Sequence, residues 1–380
     1  MRGRGGATCL LGLALLACAP GRTPAAARPT GSPVSAPAPS VSAVEAEPRG
    51  GHFVIRGAEI VGVGVADLAV KDGRIAAIGS VPAGPPELRR AGRWIVPAAI
   101  DSHVHLSFLP GGRRLLDAGV AAVVDLAAPL SGLAEREAPP ELVVLPSGPM
   151  ITARGGYPTR DWGSDGYGLE VESAAAAEQA VDTLADAGAK VIKVPVTDAP
   201  ALPPATLRAL VTRAHARGLK VAAHALLDRH ARVAAEAGAD VLAHAPVEPL
   251  QARTVEAWAG RAVISTLSAF GGAAGENLTK LRAAGMTVLY GTDLGNTQIA
   301  AISGEEIDLL LEAGLDGQAI LTAMTTAPAQ YWGLDQATPP GPGVLRVGGV
   351  ASFMIVAADP RLTPGTLAEP EAVFVAGVRR

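Results

Sequence analysis

Four histidines, one aspartate and one lysine stand at the ends of short apolar runs or inside them, where such side chains are costly without a partner. His103-Val104-His105 closes the run that starts at Ile95-Val96-Pro97. On a strand, residues i and i+2 share a face, so two imidazoles at one strand end can chelate a cation. Asp101 has the same parity and is placed to orient them from behind. Taken alone, a His-x-His pair serves a structural role equally well. His224 closes 219–225 (LKVAAHA) and His244 closes 240–246 (DVLAHAP) at the same phase. A neutral core histidine explains one such residue better than it explains two. Asp293 ends 286–293 (MTVLYGTD), where a carboxylate is paired, metal-bound or an N-cap for the next helix. Lys193 lies inside Val191-Ile-Lys-Val-Pro195. An ammonium there either snorkels to solvent or has a lowered pKa. In the second case it can react with carbon dioxide, and the resulting carbamate is an anionic oxygen ligand able to bridge two metal ions. Imidazole and carboxylate donors suit zinc, and also iron, manganese or nickel.

These residues need a scaffold that brings strand ends together. Between residues 95 and 337, short apolar strands alternate with Ala-rich helical stretches, which implies a parallel sheet. The span matches a (β/α)8 TIM-type barrel of the α/β class. The six residues then fall on its first, fourth, fifth, sixth and eighth strands and converge on the C-terminal mouth, where barrel active sites lie. An open doubly wound sheet is the alternative, but no Gly-rich phosphate loop follows a first strand. The loop 155–168 follows the expected third strand (141–147) and concentrates Tyr157, Trp162 and Tyr167 in an aromatic-poor chain. We expect Tyr157 and Arg160 to contact substrate there, Arg160 as a carboxylate partner. An ordinary surface loop is the plainer alternative. Further strands are expected at 53–62, 67–79, 343–357 and 372–378, with Asp72-Gly73 as a hairpin turn. They suggest a small β-sandwich-like module made from both terminal segments, 52–94 and 338–380.

As an ordered set, Val96-Pro97 through Asp101-Ser-His-Val-His105, Val191-Ile-Lys-Val194, Val221-Ala-Ala-His224, Val241-Leu-Ala-His244, Gly291-Thr-Asp293 and the late run Gly343 to Pro360 resemble the amidohydrolase superfamily. The nearest branches are the imidazolonepropionase-like and Xaa-Pro or Xaa-Arg dipeptidase-like ones. The resemblance implies that His103, His105 and Asp293 bind a first metal. Lys193, carboxylated, would bridge to a second metal held by His224 and His244, and Asp293 would shuttle the proton. One or two divalent ions, zinc foremost, are thus the expected cofactors. Ala98 stands where the family usually has Gly, and Ser352 where it has Asp. Neither is a ligand. Tyr157 replaces a usual His, which bears on substrate identity. The Glu that the family's deaminases place near the fifth-strand His is missing beside His224, where the closest acid is Asp228.

The remaining composition sets limits. With 380 residues, 49% of them hydrophobic, the chain can bury a large core, and its formal charge of −4 without a basic run argues against nucleic-acid binding. Its two cysteines, Cys9 and Cys18, both precede residue 20, so no Cys-based zinc site is expected in the folded part. Arg2 and Arg4, the apolar run from Cys9 and Leu15-Leu16-Ala17-Cys18 resemble a bacterial lipoprotein signal over residues 1–18. A plain signal-peptidase site is the alternative. Residues 19–51, rich in Ala, Pro, Ser and Gly, read as a disordered tether. The expectation is an exported chain, anchored to a membrane of the bacterial cell envelope (periplasm or outer membrane) through lipid on Cys18. A small molecule or dipeptide would be its substrate, and a homo-oligomer is compatible with it.

The chemistry that follows is hydrolysis of a C–N bond in a linear amide, cyclic amide or dipeptide by metal-activated water. A lactonase or phosphotriesterase on the same site, or a non-catalytic barrel lipoprotein, is the alternative.

Overall fold

The computed structural model describes residues 51–134 and 138–380. The expected export signal with Cys18, and the expected tether apart from Gly51, lie outside the described residues. Trp94–Pro97 is the seam of the molecule. It pairs antiparallel with Phe353–Val356 and parallel with His52–Ile60, so both terminal segments meet in one eight-stranded sheet. The hairpin turn forms at Asp72-Gly73, both with positive φ (50° and 74°), the geometry that matches strand twist. The small module expected from both terminal segments is built on this one sheet, which curls on itself. Phe53 and Phe374 approach to 5.2 Å between ring centres, although two strands separate them in the hydrogen-bonded order. Backbone bonds from Ala351 N to Gly73 O (2.9 Å) and from Gly348 N to Ile75 O (2.8 Å) tie the far edge back. The long late strand expected from 343 is confined to Phe353–Val356. Gly343 and Gly348 adopt positive φ (91° and 85°), which ends extended backbone before it can pair.

The chain passes from this seam directly into the first central strand, Ala99–Val104. It forms a parallel sheet with Val120–Asp125 and Val143–Pro146. Val191–Pro195, Lys220–His224, Val241–Leu242, Ala262–Ile264 and Thr287–Leu289 form a second parallel sheet. Helices connect its strands: Pro204–Ala216, Asp228–Ala237, Ala252–Trp258 and Ala274–Ala283. Burial on both faces accounts for the apolar residues that flank Lys193 in Val191–Pro195. In place of one continuous ladder, the two sheets meet at their edges through single backbone bonds. On one side Ser102 N bonds Tyr290 O (2.8 Å), Asp293 N bonds His103 O (2.9 Å) and His105 N bonds Leu294 O (2.7 Å). On the other, Lys190 N bonds Pro146 O (2.8 Å). The ladder breaks on the first side because Asp293 takes a left-handed conformation (φ 54°), which strands cannot continue. On the second side the chain detours through a separate two-stranded sheet, Met150–Ala153 with Gly168–Val171. The aromatic loop spans the gap between those two strands.

Candidate active site

The bonds that join the two sheets also assemble the site. His103 and His105 lie on one face, as their spacing requires, and their Nε2 atoms stand 3.4 and 3.1 Å from the same oxygen, Asp293 Oδ1. His244 Nδ1 is 4.0 Å from the other oxygen, Oδ2, and 3.0 Å from Thr266 Oγ1. The His224 ring packs edge-on to His244, at 4.9 Å between centres, and stacks on Tyr157 at 5.0 Å. Lys193 is fully buried, with Nζ 3.5 Å from His103 Nε2, so it does not snorkel.

Protonation follows from burial. Burial lowers the pKa of Lys193 to about 7, against a partial offset from Asp293. Burial, reinforced by Lys193, lowers His224 to about 3 and His103 well below the usual imidazole value. His244 is lowered by burial and then by His103. Burial thus favours the neutral form of these rings, and Asp293 opposes it. The Ala243 carbonyl lies 2.8 Å from His103 Nδ1 and accepts a hydrogen bond from it, which leaves Nε2 as an acceptor with Lys193 Nζ 3.5 Å away. Burial raises Asp293, but the surrounding imidazoles, His103 first, outweigh it and hold the carboxyl well below its usual range. Its Oδ1 is buried and has no hydrogen-bond donor. His103 Nε2 and Asp293 Oδ1 thus face each other at 3.4 Å, a spacing and a donor pair that a cation between them would satisfy. His103, His105 and Asp293 offer three ligand atoms within 4.8 Å of one another. Their types, two N and one O, fit a divalent transition metal.

Asp101 is fully buried and supports the site differently from expectation. Its Oδ1 accepts from the backbone N–H of His103 (3.0 Å) and Thr292 (3.1 Å), and its Oδ2 accepts from Thr292 Oγ1 (2.5 Å). It therefore clasps the first central strand to the segment carrying Asp293 and leaves the imidazoles to other partners.

All six candidate ligands and Tyr157 line one cavity of about 420 Å³. Arg160 does not line it. That side chain is exposed and its guanidinium lies against Gly155 within its own loop. Sequence reasoning passed over Phe108, Phe270 and Asn296, and gave Trp162 no contact role, yet all four line the cavity. The aromatic clustering around Tyr157 was the only signal for any of them. Trp162 Nε1 donates to Tyr157 Oη at 2.7 Å. An indole only donates, so the phenol oxygen accepts and its own proton remains free for another acceptor. Burial raises the Tyr157 phenol to about 12, so it stays protonated.

No protein-family model and no curated protein matches the sequence. Solved structures do match by fold. One is an amidohydrolase with TM-score 0.73 and 19% identity, covering 87% of this chain and 98% of the other. A Xaa-Pro dipeptidase with methionine bound in its active site has TM-score 0.73 and 17% identity, covering 87% and 99%. A prolidase complexed with N-methylphosphonate-L-proline has TM-score 0.71 and 19% identity, covering 87% and 99%. At these identities the likeness is one of fold: this chain folds as amidohydrolases and prolidases do, over nearly their whole length.

Proposed function

We propose that this chain is a metal-dependent amidohydrolase that cleaves carbon–nitrogen bonds. The observation that carries the reading is the buried Oδ1 of Asp293, faced by the His103 and His105 imidazoles without a hydrogen bond from either and enclosed with a buried lysine at the end of a parallel-stranded scaffold. His103, His105 and Asp293 would hold one divalent ion, zinc by donor type. Lys193, as a carbamate, would join it to a second at His224 and His244. The bound metal would supply a water acidic enough to lose a proton near neutral pH. Asp293 takes that proton as the water attacks the carbonyl carbon, then returns it to the leaving nitrogen. Tyr157, its proton free, donates to the carbonyl oxygen as negative charge develops there. The fold likeness to amidohydrolases and prolidases supports this reaction class.

Elemental analysis of wild type and Lys193→Ala, purified without chelators, tests the centre. We expect about two ions per chain in wild type and fewer in the variant. About one ion in both would make Lys193 structural, and none in either would refute the reading. We infer further that residues 1–18 direct export and that Cys18 carries lipid. Labelled palmitate should enter the full chain and be lost in Cys18→Ala; equal labelling would refute this.

A further inference from the structure

The walls of the cavity differ in chemistry from its floor. Beyond the candidate ligands, the lining is dominated by Phe108, Met150, Trp162, Leu226 and Phe270. The chain has only five phenylalanines, four tyrosines and four tryptophans, and Phe108, Tyr157, Trp162 and Phe270 all converge on this one site. They touch the imidazole cluster from two sides. Trp162 packs edge-on to His105 at 5.2 Å and Phe270 edge-on to His244 at 4.7 Å. Phe108 extends the wall outward, 5.4 Å from Trp162. A carbonyl held at the cluster therefore has apolar surface beside both of its substituents.

Charge is confined to the floor. Among the described residues, Lys193 is the only lysine or arginine lining the cavity, and Asp293 the only carboxylate. Both belong to the candidate metal cluster. The arginines in and beside the aromatic loop are directed elsewhere: Arg154, just before it, pairs with Glu172 at 2.8 Å, and Arg160, within it, lies against Gly155. A dipeptide would bring an α-carboxylate and an α-ammonium into this space with no side chain of opposite charge to spare. Burying such a group without a partner is strongly unfavourable.

Resting on the hydrolase reading above, we propose a substrate class: an uncharged amide with aromatic or branched apolar groups on both sides of the scissile bond, and not a dipeptide. Asn296 and the Tyr157 hydroxyl supply the few polar contacts that orient such a ligand in an otherwise apolar pocket.

Two compounds that differ only by a carboxylate test this: N-benzoyl-phenethylamine and N-benzoyl-phenylalanine. With the metal-loaded full chain we expect kcat/KM to favour the uncharged amide by about 100-fold. A preference below tenfold, or for the acid, overturns the proposal. Leu226→Arg, or Phe270→Arg should the first variant not fold, places a cation in the wall and should shrink the preference by about tenfold or more. An unchanged preference in a folded variant also overturns it. Calorimetric titration with the same pair separates this inference from the hydrolase reading. If neither compound is turned over yet the uncharged one binds at least tenfold tighter, the ligand class stands and the hydrolase reading falls. Equal binding, or none, overturns the ligand class.

Discussion

Thr292→Val tests whether the clasp between the first central strand and the Asp293 segment controls the metal centre. Valine has nearly the shape of threonine, so packing is preserved. The substitution removes the 2.5 Å bond from Thr292 Oγ1 to Asp101 Oδ2 and the 3.3 Å bond that Oγ1 accepts from Leu294 N. Burial places Asp101 at about 7, so at neutral pH the buried carboxyl is divided between its two protonation states. Without its hydroxyl donor it can shift to the neutral acid, which limits the loss at pH 6–7 to that of an ordinary hydrogen bond, about 1 kcal/mol. The sign at higher pH follows from linkage. A carboxyl raised above its unfolded value makes the native state bind more protons, so stability falls as pH rises toward the folded pKa. Removing the donor raises that pKa further, and the variant goes on losing stability above pH 7 where wild type no longer does. The loss should grow by about 1.4 kcal/mol per pH unit, up to about 3 kcal/mol, the limit set by a hydrogen bond to a charged group.

Urea denaturation of metal-stripped protein at pH 6.5 and 9 measures this directly. Chelator competition should show metal affinity about 10–100-fold weaker in the variant, because the clasp holds His103 itself and Thr292, the neighbour of Asp293. Asp101→Asn, which can still accept from both backbone donors, should be milder and lack the pH trend. A Thr292→Val loss that is equal at both pH values, with metal affinity unchanged, would refute the reasoning.

Asp293→Asn should abolish turnover in a protein whose circular dichroism shows it folded; surviving activity would remove Asp293 from proton transfer. Tyr157→Phe should lower kcat about 10–100-fold with little change in KM, as steady-state kinetics on any accepted amide will show. Gly295→Ala should weaken metal binding at least about tenfold, since Gly295 has φ 125° and a Cβ there would meet His105 Cβ at 2.8 Å; chelator competition reads it. Lys193→Met should stabilise the metal-free protein, because a lysine held at about 7 is charged and buried below that pH. The gain should be about 4–5 kcal/mol below pH 7 and vanish toward pH 10.5, where the unfolded lysine also loses its proton; denaturation across that range checks it.

The candidate ligands could be read from the sequence because parallel strands buried on both faces exclude polar side chains. His103, His105, Lys193, His224, His244 and Asp293 each interrupt or end an apolar run, and their shared phase reports a shared strand end. The helices between those strands were equally readable. Pro204–Ala216 and Asp228–Ala237 occupy Ala-rich stretches between the apolar strands. Closure of the terminal sheet was not readable. It depends on pairings between residues nearly three hundred positions apart, Gly73 with Ala351 among them, which no local pattern encodes.

The walls of the cavity were hidden for a different reason. Phe270 follows a short 3-10 turn, Asn296 follows the left-handed Asp293, and Phe108 and Trp162 sit on loops, where no periodicity assigns a direction to a side chain. Arg160 shows the hazard of reading such segments by residue type. Two positions from Trp162, it is exposed against Gly155 while the tryptophan reaches His105. The orienting partners of the ligands were hidden too, since Ala243 acts on His103 through a carbonyl that any residue would present there. On the hydrolase reading proposed above, the strand ends set the reaction and the loops set the substrate. Substrate preference is therefore the property that required the structure, and the pair of amides differing by one carboxylate measures it directly.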